Sequence, residues 1–196
     1  MQVIGVTGGM ASGKSTVARM IAGRGILHVD ADQLVHRLMR EDAETISAIA
    51  KKFPAAVKGG QVHRAALAEA IGKNPAALAT LEQILHPRVR ALEEEMIRRA
   101  RRHRLRAVVL DIPLLFETGA HALCDRVIVA HAAIAMRRRR AFARAGMTEE
   151  KWQRLIARQL PDHHRRHAAD IVVYTGIGKA ATRRKIEALM RRWGLR

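Results

Sequence analysis

The residues from Gly8 to Ser15 have types and a spacing suited to binding phosphate. Their letters, GGMASGKS, fit the pattern G-x-x-x-x-G-K-[ST]. Gly8 and Gly13 permit backbone angles and a close approach that a Cβ would prevent, so the amide groups of the loop can surround an anion. Lys14 can extend to the β- and γ-phosphates of a nucleoside triphosphate, and the Ser15 hydroxyl can coordinate Mg²⁺. The sequence therefore predicts a phosphate-binding loop.

We expect the bound nucleotide to be ATP. A GTPase would be expected to contain an Asn-Lys-x-Asp segment that recognises guanine, and the sequence has none. The loop residues expected to contact ATP are Gly8, Gly9, Ala11, Ser12, Gly13, Lys14, Ser15 and Thr16. The alternative is a chance match in a glycine-containing turn, which would not need a strand before the loop and a helix after it.

The elements that must position this loop are present in the surrounding sequence. An apolar run at 2–7 predicts a strand before the loop, and the spacing of Val17, Met20 and Ile21 predicts a helix after it. Four more short apolar runs predict further strands, at 26–30, 107–111, 126–130 and 171–174. Because helical segments alternate with these strands, the sequence predicts an α/β fold with a five-stranded parallel sheet flanked by helices.

Charge is the unusual feature of the composition. The 196 residues include 36 Lys and Arg against 18 Asp and Glu, a formal net charge of +18. Such a surface attracts polyanions, which could be nucleic acid, an anionic membrane or phosphorylated metabolites. The arginines are spread over several predicted helices, so the charge alone does not select among these partners.

The single cysteine, Cys124, excludes an internal disulfide and is typical of a reducing compartment. No apolar run approaches the length of about 18 residues that a membrane-spanning helix needs. Lys14 interrupts the region that a secretory signal peptide would keep apolar. We therefore expect a cytoplasmic protein without a membrane partner.

Further motifs follow the phosphate loop in a characteristic order. They are IGVTGG at 4–9, STVA at 15–18, DAD at 30–32, LHP at 85–87, DIPLLFE at 111–117 and GMTEE at 146–150, with Arg140, Arg144, Gln159 and Asp170. In order and spacing, over almost the whole chain, this set resembles the dephospho-CoA kinase family. The resemblance implies a P-loop kinase that uses ATP and Mg²⁺ to phosphorylate the 3′-hydroxyl of dephospho-CoA, giving ADP and coenzyme A.

The resemblance also implies an organisation for the single P-loop kinase domain. Its core comprises 1–31, 107–136 and 167–196, a helical insertion at about 32–106 binds the acceptor, and a lid at about 137–166 closes over ATP. Apolar residues three and four apart predict that the insertion is helical throughout, with Pro87 permitting a new helix to begin.

Two aspartates are candidates for the chemistry. Asp32 follows the second predicted strand, where an open parallel sheet has its binding crevice, and it could accept the proton of an attacking hydroxyl. Its alternative role is an N-cap for a helix that begins near Gln33. Asp111 ends a predicted buried strand beside the loop and could hold Mg²⁺ together with Ser15, or act as a cap or turn carboxylate.

The remaining candidates are implied by the resemblance. Thr7, His86, Leu115 and Phe116 match positions expected to bind the acceptor, although Leu115 and Phe116 could be ordinary core residues and His86 could serve a helix end. Arg140 and Arg144 match the lid arginines. Because they are four residues apart on a predicted helix at 133–145, they should share a face and stabilise the transferring phosphoryl group.

Some positions depart from the pattern of the family. Met10 and Ala11 replace an apolar residue followed by glycine, and Tyr174-Thr175-Gly176 replaces a turn that contains Asn near the adenine. Arg165 occupies a position where the family usually has Lys, and a phosphate contact is expected there.

Two other functions are compatible with a phosphate loop. Another small nucleoside or nucleotide kinase would need a pocket in the insertion that recognises a base. A nucleic-acid-binding ATPase would need stacking aromatics, and the chain has only 3 Phe, 2 Trp and 1 Tyr. We therefore expect ATP and dephospho-CoA as partners, no specific nucleic acid, and a monomer or small homo-oligomer.

Overall fold

Seven strands occur in the computed structural model, which describes residues 1–72 and 74–195. They are β1 (Gln2–Gly8), β2 (Ile26–Asp30), β3 (Val57–Lys58), β4 (Gln61–Val62), β5 (Ala107–Asp111), β6 (Arg126–His131) and β7 (Ile171–Tyr174). Five of them form a parallel sheet in the order β2-β5-β1-β6-β7, which confirms the predicted α/β fold. Lys73 and Arg196, which fall in the predicted insertion and the predicted C-terminal core segment, lie outside the described residues.

The helices are α1 (Lys14–Ile21), α2 (Ala31–Glu41), α3 (Ala43–Lys52), α4 (Arg64–Ile71), α5 (Pro75–Arg102), α6 (Ile134–Phe142), α7 (Glu149–Ala157), α8 (Asp162–His167) and α9 (Lys179–Arg192). None of these described helices is long and apolar enough to cross a membrane. Contacts within the chain divide it into two units. We call Met1–Asp30 with Met96–Arg196 the sheet unit, and Ala31–Glu95 the helical unit.

The sheet unit is built on an aliphatic core. All five residues of β5 are buried, as a strand in the interior of a parallel sheet requires. Branched side chains from the strands, among them Ile4, Val6, Val109 and Ile128, form one cluster with Ile21 of α1 and Ile186 of α9. Each such side chain contributes about 1.5–3 kcal/mol through its burial. The core therefore fixes the strand ends that carry the phosphate loop.

The helical unit differs from the predicted all-helical insertion in one segment. Strands β3 and β4 form an antiparallel hairpin around Gly59 and Gly60, whose φ angles are 57° and 74°. Two consecutive left-handed residues make a tight hairpin turn, and glycine adopts that conformation without steric cost. A glycine pair inside the segment predicted to be helical therefore directs the chain into a hairpin.

Helix α5 also differs from its prediction, because Pro87 lies inside it and does not begin a new helix. Leu81, Leu85 and Val89 are spaced by four residues on both sides of the proline, and all three are buried. The apolar face thus continues through Pro87, and its burial outweighs the hydrogen bond that proline cannot make.

One buried charge in α5 should make stability depend on pH. Burial raises the pKa of the Glu93 carboxyl to about 7 from an ordinary value of 4.5. Because the folded form holds its proton more tightly than the unfolded form, this group stabilises the fold most below about pH 4.5. That contribution is lost as pH rises through about 7.

We predict that Glu93→Gln stabilises the protein above neutral pH, because the amide never has to ionise in a buried position. The gain in the free energy of unfolding should reach up to about 3 kcal/mol at about pH 8 and shrink toward about pH 5. Urea titrations of both proteins at the two pH values measure this difference. An equal difference at both pH values would contradict the prediction.

Candidate active site

The phosphate loop connects the carboxyl end of β1 to the N-terminus of α1. β1 lies between β5 and β6, so the loop leaves from the middle of the sheet. A Cβ at Gly8 would lie 2.3 Å from the carbonyl oxygen of Ala130, and Gly13 has φ 93°. Both positions therefore need glycine, as their spacing predicts. Helix α1 has no acidic residue in its first turn and no side-chain cap, so its N-terminus can accept an anion.

Ala11 adopts a left-handed conformation, with φ 58°. A residue with a Cβ destabilises the fold by roughly 1–2 kcal/mol when it adopts this left-handed conformation, which explains why glycine is the usual choice for such a position. The Ser12 N–H donates to the Gly9 carbonyl oxygen at 2.9 Å and closes a tight turn across Ala11. The loop thus retains its bend despite the replacement of glycine.

Lys14 and Asp111 meet beneath the loop. The Lys14 ammonium donates to Oδ1 of Asp111, the last residue of β5, and this carboxylate is fully buried. Burial raises the pKa of the Asp111 carboxyl, but three neighbours lower it by more: His28, Lys14 and Ser15. Asp111 is consequently ionised at neutral pH. The alternative role of a cap or turn carboxylate does not account for this burial or for the pairing with Lys14.

The residues predicted to hold Mg²⁺ fit that ion. Among the described residues, none makes a hydrogen bond to Asp111 Oδ2, a buried oxygen with His28 Nε2 as much as 3.5 Å away. Mg²⁺ is usually held by one or two protein oxygens together with substrate phosphates, so Asp111 and the Ser15 hydroxyl suffice. The described part of the chain contains no cluster of three acidic, His or Cys ligands, and a site of this kind does not need one.

Arg140 is connected to the loop through the turn after β7. Its Nη2 donates to the carbonyl oxygen of Thr175 at 3.0 Å. The Thr175 hydroxyl in turn donates to the Ser12 carbonyl oxygen. The turn that departs from the family's Asn-containing pattern thus joins Arg140 to the phosphate loop.

Arg144 does not accompany Arg140. The predicted helix at 133–145 ends at Phe142, and Arg144 lies beyond it, exposed to solvent. The expectation that the two arginines share a helix face is therefore wrong. The Arg144 N–H donates to the Ala141 carbonyl oxygen, three residues back. This bond closes a turn tighter than that of an α-helix and ends the helix before the glycine at 146.

The acceptor candidates of the sheet unit lie along the segment after β5. The Thr7 hydroxyl donates to the Pro113 carbonyl oxygen at 3.1 Å and is fully buried. Leu115 is also fully buried, against Gly5, which favours its core role. Phe116 is half-buried, and its ring centroid lies 5.6 Å from that of His121. Of this group, Phe116 is the residue best able to contact a ligand.

The helical unit carries the other two acceptor candidates, Asp32 and His86. Helix α2 begins at Ala31, so Asp32 lies within its first turn and the N-cap alternative is wrong. A carboxylate there is favoured by the helix dipole, and Asp32 is exposed. His86 is exposed in the middle of α5, so its alternative as a helix-end residue is also wrong.

Sequence reasoning missed the residues that surround the tip of the phosphate loop. Arg137 is 3% exposed and bonds to both the loop and Asp162, although it belongs to a run of four arginines on α6. Its spacing from Ala141, another buried residue four positions on, was the available signal. His28, which lies beside Asp111 and not at the loop tip, was also missed, because a single histidine in a short strand carries no pattern.

A phosphate loop on a parallel sheet, with Lys14 and Asp111 beneath it, defines the protein as a P-loop kinase. Comparison with known sequences narrows this class. The profile of the dephospho-CoA kinase family matches residues 2–178, and the chain belongs to that family.

Individual relatives agree with this assignment. The chain is 41% identical over 194 residues to a dephospho-CoA kinase of Agrobacterium fabrum, covering 99% of both proteins. It is 42% identical over 190 residues to that of Mesorhizobium japonicum, covering 97% of this chain and 95% of the relative. A solved Thermus thermophilus structure superposes with a TM-score of 0.79 at 34% identity, covering 97% of each chain. A shikimate kinase from Acinetobacter baumannii, at 17% identity and a TM-score of 0.57, shares the fold; the alignment covers 100% of this chain and 96% of that one.

Proposed function

We propose that this protein transfers the γ-phosphoryl group of ATP to the 3′-hydroxyl of dephospho-CoA, giving ADP and coenzyme A in the cytoplasm. The observation that carries the proposal is the match, over nearly the full length of both chains, to relatives named dephospho-CoA kinase. The Lys14–Asp111 pair under the phosphate loop is consistent with phosphoryl transfer. The protein acts on small molecules as a monomer or small homo-oligomer, without nucleic acid.

Each residue of the proposed mechanism has a distinct task. The loop amides and the N-terminus of α1 hold the β-phosphate, and Lys14 neutralises charge on the β- and γ-phosphates. Arg140 stabilises the charge of the phosphoryl group during transfer. Asp32 accepts the proton of the attacking hydroxyl. Mg²⁺, held by Ser15 and Asp111, would neutralise phosphate charge when bound.

The residues proposed to bind the acceptor contact or support it without taking part in a chemical step. His86 and Phe116 are proposed to contact dephospho-CoA, with Phe116 making the apolar contact, while the buried Thr7 and Leu115 support the segment that carries Phe116. Thr7 orients the backbone of this segment through its bond to Pro113.

An assay of ADP release tests the proposed acceptor. The protein is incubated with ATP and Mg²⁺ and, in separate reactions, with dephospho-CoA, adenosine or single-stranded DNA. We expect release to be stimulated by dephospho-CoA alone, with the new phosphate located at the 3′-position by ³¹P NMR. Stimulation by adenosine would indicate a nucleoside kinase, and stimulation by DNA would indicate a nucleic-acid-dependent ATPase; either result overturns the proposal.

Arg140 should act mainly in the transition state, so we predict that Arg140→Ala lowers kcat more than it raises the KM for ATP. Removal of one donor that stabilises developing charge costs about a hundredfold or more in kcat. The matched control is Arg139→Ala, because Arg139 is exposed on the same helix and should change neither constant. A loss confined to KM would instead assign Arg140 to ground-state binding of ATP.

A further inference from the structure

Both backbone polar groups of Met10, at the tip of the phosphate loop, make hydrogen bonds to side chains from the predicted lid. The Met10 carbonyl oxygen accepts a hydrogen bond from Arg137 Nε at 3.0 Å. The Met10 N–H donates to Gln159 Oε1 at 2.9 Å. Arg137 lies on α6 and Gln159 follows α7, so two separate elements hold one residue of the loop.

The guanidinium of Arg137 fits against the loop closely. A Cβ added to Gly9 would lie 2.3 Å from Arg137 Cζ, so the loop and the arginine are in contact along the backbone. Arg137 Nη1 also donates to both carboxylate oxygens of Asp162, at 2.9 and 2.7 Å. One planar side chain thus joins the loop to the start of α8, which a flexible ammonium could not do with the same geometry.

The charges of Arg137, Asp162 and Arg165 stabilise the link between the phosphate loop and α8. Arg165, which is 2% exposed, donates to the same Asp162 carboxylate, so two buried guanidinium groups share one negative charge. Burial raises the pKa of Asp162, but Arg137 and Arg165 lower it by more, and the carboxylate remains ionised. Three charge-assisted hydrogen bonds from the two guanidinium groups to this carboxylate hold its geometry strongly.

We infer that Arg137 is a positioning residue for nucleotide binding: it fixes the tip of the phosphate loop through Met10 and is itself fixed by Asp162. The strained bend at Ala11 immediately follows the residue that Arg137 and Gln159 hold. Without these bonds the loop loses the constraint that keeps its amides directed at one phosphate position. The inference deepens the proposed function but concerns ATP and ADP only, and it holds whatever the acceptor is.

This role predicts a specific kinetic pattern. The loop holds phosphates equally before and during transfer, so a loosened tip should weaken binding without slowing the chemical step. Arg137→Ala should raise the Kd for ADP and the KM for ATP by about tenfold or more, with kcat within about threefold of the parent value. Arg140→Ala should show the opposite division between kcat and KM.

The experiment measures ADP affinity by calorimetry, without acceptor, in Arg137→Ala, Arg137→Lys and Gln159→Ala. Arg139→Ala is the control on the same helix. Thermal melts followed by circular dichroism establish the temperature range in which each variant is folded, and affinity is measured within that range. We expect weaker ADP binding in the three test variants, and no recovery by Lys, because an ammonium cannot bridge Met10 and Asp162 in this geometry. Millimolar guanidinium should restore affinity in Arg137→Ala.

Two outcomes overturn the inference. Folded Arg137→Ala with an ADP Kd within twofold of the parent would show that the connection is structural only. Full recovery by Arg137→Lys would show that charge, not position, is what the loop requires. If Arg137→Ala does not fold, Gln159→Ala decides the question alone, since it removes only a neutral bond to Met10; unchanged affinity there rejects the role.

Discussion

Lys14→Ala should abolish nearly all kinase activity. Lys14 is the loop residue whose charge can follow the γ-phosphoryl group, and loss of one preorganised charged contact to the transition state costs roughly a thousandfold in kcat. The measurement is ADP release at saturating ATP and dephospho-CoA. Turnover near that of the parent protein would reject the assignment of the phosphate loop.

The structure changes what this variant does to stability. If the lysine charge served only the bound nucleotide, Lys14→Ala would leave the fold intact. Lys14 instead pairs with the buried carboxylate of Asp111. Its removal leaves that charge without its closest partner, and we expect a loss of up to about 3–5 kcal/mol in the free energy of unfolding.

A double variant separates the two effects. Asp111→Asn in the Lys14→Ala background removes the unpaired charge, so the melting temperature should recover. Activity should stay absent, because Lys14 and the proposed Mg²⁺ ligand Asp111 are then both missing. Recovery of both properties would mean that Lys14→Ala is inactive only because it is unfolded. Recovery of neither would show that the amide cannot replace the carboxylate in this buried position.

Asp32→Asn should lower kcat by roughly a hundredfold or more with little change in melting temperature. The amide keeps the shape of the side chain but cannot accept the proton of the acceptor hydroxyl. Because Asp32 lies in the first turn of α2 and is exposed, loss of its favourable interaction with the helix dipole should cost only about 0.3–1 kcal/mol. The pair of measurements is kcat for dephospho-CoA phosphorylation and thermal unfolding.

The size of the Asp32 effect also reports on the transition state. A loose, metaphosphate-like transition state needs little help from a base and would reduce the loss. Gln33→Ala, which changes the neighbouring exposed residue, is the control for local disturbance of the helix. Retained kcat with unchanged stability would reject Asp32 as the base and direct attention to Asp30 or Asp111.

Features that depend on residues close together in the chain were predicted from the sequence, and features that depend on contacts between distant residues were not. The phosphate loop and the parallel strands depend on local residue types and periodicity, and the structure confirms the predicted fold. The continuation of helix α5 through Pro87 depends on how the apolar residues on both sides of the proline pack. A local sequence pattern does not contain that information. Similarly, Arg137 joins Met10 to Asp162 across separations of 127 and 25 residues, and its neighbours in the arginine run look the same in sequence.

The place of β1 in the sheet has a consequence for hydrogen exchange. β1 is bonded to β5 on one side and β6 on the other, whereas β2 and β7 are the edge strands. Amides of a central strand exchange with solvent mainly when the whole domain unfolds, while edge strands and surface helices open in smaller, less costly fluctuations. The amides of Ile4 and Val6 should therefore be among the slowest to exchange. The strand that ends in the phosphate loop would stay formed during partial openings that release α8 or β7.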